Sequence, residues 1–203
     1  MEDEKRRDEA DKNEVVVDEA EAVENEEWAV SEHYVRIPQD RIGVLIGKGG
    51  STKAELESRT SSRIEVDSRD GSVVIRTRDP LMALRVVDVV RAIARGFSPE
   101  KAFALLDDDA RILDIISLSY LSENALRRVK GRIIGRGGRT RQHIEELTGT
   151  KISVYGKTTS IIGYPEQVRV ARAAVEMLVN GTPHGAVYSY LERKRRELRE
   201  GYF

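Results

Sequence analysis

One stretch of this chain is written twice. Residues 43–57 align with residues 131–145 at a constant offset of 88. Gly43/Gly131, Ile46/Ile134, Gly47/Gly135, Gly49/Gly137, Gly50/Gly138, Thr52/Thr140, Glu57/Glu145 and Thr60/Thr148 are identical. Lys48/Arg136, Lys53/Arg141 and Arg63/Lys151 keep their charge. Further on, Ile64 and Val66 fall on Ile152 and Val154; Pro80 then falls on Pro165 and Gly96 on Gly181 at an offset of 85. A repeat of this extent within 203 residues commits the chain to two small units of one topology.

Periodicity supplies that topology. Residues 34–37 read as a short strand ended by Pro38, and Asp40 is placed to cap a short helix through 44–46. Glycines interrupt at 47–50. Ser51 or Thr52 starts a second helix with Ala54, Leu56 and Thr60 near one face. Strands at 62–67 and 72–77 follow. Asp79 and Pro80 then open a long helix whose predicted buried stripe is Leu81, Leu84, Val87, Val90 and Ile93, ending at Gly96. The order is β-α-α-β-β-α. The second unit repeats it with a strand at 115–121, helices at 123–134 and 139–148, strands at 151–155 and 159–163, and a helix at 165–180. The predicted divisions are an acidic tail at 1–32, a first unit at 33–96, a helical connector at 97–114, a second unit at 115–181 and a C-terminal helix at 182–203. Ser98 and Pro99 start the connector helix, and Ala102, Leu105 and Leu106 are expected to join the units into one rigid body. The last helix has a narrow apolar stripe of Val187, Tyr190, Leu191, Lys194 and Leu198 and a basic end at 193–196.

Charge is divided unevenly. Residues 1–32 carry 14 acidic and 4 basic side chains, a net of −10, which leaves the body at +9. A tail so poor in apolar residues cannot offset its ordering entropy, so it is expected to be disordered or loosely helical, with Trp28 docking on the body. An acidic arm on a basic body suits a protein that binds polyanions. Between Glu123 and Glu145 stand Arg127, Arg128, Lys130, Arg132, Arg136, Arg139 and Arg141, with no acidic residue among them. A helix solvated for its own sake mixes signs to gain i,i+4 pairs; same-sign crowding is relieved by a polyanion.

Several chemistries are excluded. There is no cysteine, so disulfides, zinc–thiolate sites and thiol catalysis are out. Apolar runs are far shorter than the ~20 residues a membrane helix needs, and the N-terminus lacks a leader's apolar segment. The expectation is a soluble, cytoplasmic protein that uses no metal and no cofactor. The loop at 43–48 is one residue short of a phosphate-binding Walker loop, and Gly49 stands where a Mg²⁺-holding hydroxyl is required. Asp107, Asp108 and Asp109 read as a polar turn and His143 as a surface helix residue; no catalytic constellation is present.

Two helices joined by a Gly-x-x-Gly loop inside β-α-α-β-β-α resemble the type I K-homology (KH) fold. The motifs are Ile46-Gly47-Lys48-Gly49-Gly50 and Ile134-Gly135-Arg136-Gly137-Gly138. The resemblance covers 33–96 and 115–181 and gives an α+β protein of two tandem type I KH domains. It departs from the usual signature at Lys53 and Arg141, where an aliphatic residue is normal. KH loops clamp about four nucleotides of a single strand. Glycine lets the phosphates approach closely, and the following helix offers free N–H groups. The bases would lie against the first helix, the second helix and the middle strand. In the first unit that means Leu45, Ile46, Leu56, Ile64 and Val66; in the second, Ile133, Ile134, Ile144, Ile152 and Val154, most of them also core candidates. The expected RNA-binding residues are Gly47, Lys48, Gly49, Gly50, Lys53 and Arg63 in the first unit. In the second they are Arg128, Arg132, Gly135, Arg136, Gly137, Gly138, Arg139, Arg141, Lys151 and Ile152. Only 5% of the residues are aromatic, which argues against RNA-binding folds that rely on stacking platforms.

The acidic tail, the connector at 96–109 and the stretch 183–191 are similar to the archaeal branch of the partner-of-Nob family of KH ribosome-assembly factors. That resemblance implies a non-enzymatic protein that binds the 3′ end of small-subunit ribosomal RNA and assists its maturation. It also implies partnership with the Nob endonuclease and with the alpha subunit of initiation factor two. A general RNA-binding regulator or an exosome-associated adaptor is the alternative. An exosome cap protein would carry an S1 barrel, and no such all-β segment is present.

Overall fold

The structure, a computed structural model, describes residues 31–200. Ser31 and Glu32, assigned from the sequence to the acidic tail, instead open β1 by pairing with Thr77 and Arg76; the expectations for residues 1–30 and for Trp28 lie outside the described residues, as does the side chain of Leu198. The first unit contains β1 (Ser31–Arg36), α1 (Gln39–Ile46), α2 (Ser51–Thr60), β2 (Ser62–Val66), β3 (Ser72–Thr77) and α3 (Pro80–Ala94). A connector helix α4 (Pro99–Asp107) leads to β4 (Ile112–Ser117), α5 (Glu123–Ile134), α6 (Arg139–Thr148), β5 (Lys151–Tyr155), β6 (Thr158–Gly163) and α7 (Pro165–Val179). Helix α8 (His184–Glu200) closes the chain. Each unit is one antiparallel three-stranded sheet, ordered β1-β3-β2 and β4-β6-β5. The strands that come second in sequence, β2 and β5, are therefore edge strands in space.

Local chemistry explains the helix starts. The Asp79 carboxylate accepts from the Leu81 and Met82 amides at 2.9 and 3.2 Å, with Pro80 in the first turn. Asp40 does not cap α1: the helix begins at Gln39 after Pro38, and the Asp40 carboxylate accepts from the Tyr155 hydroxyl at 2.6 Å. Helix α3 buries Ala83, Val86, Val87, Val90, Ile93 and Ala94. Leu81 and Leu84 fall outside that stripe and are 76% and 55% exposed, contrary to the periodicity reading. Ala54 is likewise exposed, while Leu56 and Thr60 are buried. The first strand of the second unit starts at Ile112, pairs Ile112 with Gly163, and ends before the turn that leads to Ser122, which caps α5.

The two units share packing. The core of the first includes Ala102, Phe103 and Leu105 of the connector and Ile162 of the second sheet, with Leu113 packed against it. Side chains alternate along β5, so Ile152 enters the second core while Lys151, Ser153 and Tyr155 face the first unit's side. The Ser153 hydroxyl donates to the Arg95 carbonyl at 2.8 Å. Gly96, at φ 94°, passes so close to Tyr155 that a Cβ would lie 2.8 Å from the tyrosine Cβ. Partial burial, then the bond to Asp40, holds the Tyr155 phenol above its ordinary pKa. Helix α8 packs on the second unit through the buried Val187 and Leu191. His143 is half-buried rather than free on the surface, its ring edge-on to Tyr188 at 4.7 Å.

Candidate nucleic-acid interface

Each glycine loop joins the end of one helix to the start of the next. In the first unit Gly47, Gly49 and Gly50 have φ/ψ of 76/176°, 60/26° and 83/5°. Gly135, Gly137 and Gly138 have 73/174°, 61/23° and 81/4°. All six φ values lie where glycine is favoured. Gly47 and Gly135 are needed for a second reason: a Cβ there would collide with Thr52 or Thr140. Gly49, Gly50 and Gly137 have open space where a side chain would stand. Neither α2 nor α6 has a side-chain cap at its N-terminus; the first amide of each is taken by the turn before it, Ser51 donating to the Lys48 carbonyl and Arg139 to the Arg136 carbonyl.

Gly43 and Gly131 complete the surface. Both lie inside a helix, where glycine is less stable than alanine by about 0.5–1 kcal/mol. No neighbour lies within 4 Å of a Cβ built at either, so packing does not require them. Their effect is to keep the face beside the loop flat and open.

The cations are arranged differently in the two units. Lys48, Arg136 and Arg139 are exposed at the loops. Lys53 turns back to Glu57 at 3.3 Å. Its counterpart Arg141 leans over the loop, its terminal nitrogen 3.9 Å from a Cβ built on Gly138, and its buried Nε has no partner. Lys130 donates to the Gly156 carbonyl at 3.2 Å, which ties α5 to the β5–β6 turn.

Four of the residues expected from sequence to bind RNA occupy other places. Arg132 donates from Nε to the Leu178 carbonyl at 3.1 Å and from its terminal nitrogen to Thr182 at 2.6 Å. It closes the C-terminal end of α7. Arg41 does the same for α3, donating to the carbonyls of Ile93 at 2.8 Å and Phe97 at 2.5 Å. Arg63 alternates with the buried Ser62 and Ile64, so it lies on the sheet face away from the helices, 3.8 Å from Glu65. Lys151 lies on the matching face of the second sheet, beside the connector helix. The side chain of Ile152 is 1% exposed and belongs to the core. Arg128 is exposed one turn before Arg132, on the same flank of α5.

Sequence reasoning placed Lys130 in the basic stretch but left Gly43 and Gly131 out of the site, although the repeat marks them as an identical pair. Among the described residues no three acidic or histidine side chains are grouped to hold a metal ion, and no helix is long and apolar enough to cross a membrane.

Known proteins match this arrangement. Residues 32–82 match the KH domain family, and residues 112–196 match the eukaryotic-type KH domain of type I. A KH domain-containing protein of Methanocaldococcus jannaschii is 43% identical over 175 residues, covering 83% of this chain and 76% of that protein. The pre-rRNA-processing protein pno1 of Schizosaccharomyces pombe is 32% identical, covering 82% and 72%. Among solved structures, Dim2p from Pyrococcus horikoshii is 54% identical with a TM-score of 0.76, covering 80% of this chain and 99% of that one. A complex of a/eIF2alpha, aDim2p and rRNA from the same organism matches at 53% identity and a TM-score of 0.78, covering 82% and 95%. With two KH units in the same order and identity sustained across both, the chain belongs to the tandem-KH family that includes archaeal Dim2p and eukaryotic Pno1.

Proposed function

We propose that this protein is a single-stranded-RNA-binding ribosome-biogenesis factor that holds the 3′ end of small-subunit ribosomal RNA and assists its maturation without catalysing a reaction. The observation that carries this reading is the second glycine loop: open, glycine-lined, with no side chain capping the helix that follows, and flanked by Arg136, Arg139 and Arg141. The relatives named for pre-rRNA processing, and the relative solved with rRNA, support ribosomal RNA as the ligand over a general regulatory or exosome-adaptor role. The binding residues are Gly47, Lys48, Gly49 and Gly50 in the first unit, and Gly135 to Gly138, Arg139, Arg141 and Lys130 in the second. The same solved complex supports the alpha subunit of initiation factor two as a protein partner. The Nob endonuclease is the cleaving enzyme such a factor would serve, and the cytoplasm is where they would meet.

Filter binding across salt concentrations tests the reading. Each phosphate neutralised on a single strand adds about −0.7 to the slope of log affinity against log salt. Several contacts at two loops require a steep slope, and a slope near zero rejects the reading. A duplex of the same sequence should compete poorly. Incubating labelled RNA with Mg²⁺ or Mn²⁺ should leave it uncut.

A further inference from the structure

The edge of the second sheet beside the glycine loop carries an unusual acceptor. The Glu145 carboxylate accepts from the Ile152 amide at 2.6 Å through Oε1. In an antiparallel ladder a residue's N–H and C=O point to the same side. The Ile152 carbonyl is therefore directed outward as well. With its amide occupied, Ile152 itself presents only acceptors at this edge: its carbonyl and, beside it, the second oxygen of Glu145. Among the described residues no cation lies within ion-pair distance of Glu145, and the side chain is half-buried. Arg141, one turn earlier on the same helix face, is drawn towards Gly138 instead.

The first unit has the same hydrogen bond, from the Ile64 amide to Glu57 at 2.6 Å. There Lys53 sits 3.3 Å from that carboxylate and supplies it with a donor. The repeat thus holds one glutamate whose charge is matched within the protein and one whose charge is left for a ligand. A bare carboxylate in a groove that attracts phosphate is unfavourable unless the ligand brings donors to it.

We infer that Glu145 is a specificity-determining residue that accepts a hydrogen bond from the amino group of an RNA base, selecting cytosine over uracil at the second groove. The inference rests on the RNA-binding reading above. Arg141 and Glu145 are ~6 Å apart along the helix axis, so a phosphate at the loop leaves its base near Glu145. Cytosine offers its N4 amino donor there, whereas uracil offers a carbonyl oxygen, which faces the carboxylate with like partial charge.

The test compares short oligocytidylate with oligouridylate of equal length on the full chain. Wild-type protein should prefer oligocytidylate. Glu145→Gln keeps an acceptor for the Ile152 amide but adds a donor, and the preference should fall by about tenfold. Glu57→Gln should leave the preference unchanged. A second arm needs no variant: replacing cytosine by pyrimidin-2-one, which lacks the amino group, should weaken binding to wild-type protein and have little effect on Glu145→Gln. If RNA binds with a steep salt slope but neither Glu145→Gln nor removal of the amino group changes the preference, the assignment of Glu145 is overturned alone. If no single-stranded RNA binds at all, the RNA-binding reading falls and this inference with it.

Discussion

Backbone torsions in the two glycine loops agree within 3°, yet the side chains behind them are used differently. In the first unit Lys53 closes on Glu57, and the nearest arginine, Arg41, is committed to the end of α3. In the second, Arg136, Arg139 and Arg141 surround the loop, while Arg132 and Lys130 are bonded to backbone carbonyls of the fold. One fold can therefore keep the geometry of phosphate binding in both copies while concentrating the electrostatics in one. The torsions follow from glycine, which both copies keep. The field depends on which cations already have partners inside the protein.

The largest effect should come from reversing charge at the loops. Arg136→Asp with Gly137→Asp places two negative charges at the phosphate position. We expect a loss of about 2–3 kcal/mol, on the order of a hundredfold in affinity by filter binding. Lys48→Asp with Gly49→Asp should cost about 1 kcal/mol or less. Equal losses would break the comparison, provided circular dichroism shows both variants folded.

Arg132→Ala sharpens it from the other side. Two carbonyls lose a charged donor, so chemical denaturation should show a stability loss of about 2 kcal/mol. RNA affinity of the folded fraction should hold, and Arg41→Ala should behave alike. Arg141→Ala should do the reverse, lowering the salt slope by about 0.7 with little change in stability, whereas Lys53→Ala should leave the slope unaltered.

Gly131→Leu separates fold from site at one position. A better helix former in open space should raise stability by about 0.5–1 kcal/mol while weakening RNA binding. A matched change at Gly43 should stabilise equally and weaken binding less. Thermal melts and titrations on the same samples read both.

The smallest effect concerns the join between the units. The Tyr155 phenol has its pKa raised in the folded state, so its contribution is fully present below its unfolded pKa of about 10 and is lost as pH rises through the raised folded value. Melting temperature should fall more steeply above about pH 10 in the wild type than in Tyr155→Phe. Parallel curves would show that the contact with Asp40 contributes nothing to the join.

The repeat, the loop, the helix start at Asp79 and the basic stretch of α5 and α6 are all visible in the sequence, because each depends on residues close together in the chain. A positive φ requires glycine at that very position, and a net charge is a sum over neighbours. The connector was legible for the same reason: Ala102 and Leu105 are apolar at helical spacing. That they join the units was expected as well; that Ile162 of the second sheet belongs to the first unit's core was not.

What folding decided is which polar side chains remain available. Arg132 looked like its neighbours until α7 and α8 brought the carbonyls of Leu178 and Thr182 to it from about fifty residues away. Its counterpart in role, Arg41, is displaced by one turn from the repeat alignment, so comparing the copies in sequence could not pair them. Arg63 and Lys151 keep their charge across the repeat but were turned to the far face by strand alternation. Glu57 and Glu145 are identical in sequence, yet Lys53 pairs with the first while its counterpart Arg141 leaves the second to the Ile152 amide. Charge and backbone preference belong to residues and survive in a string of letters. Hydrogen-bond partnership is a matter of distance and direction between segments far apart in the chain, and only the packed molecule sets those.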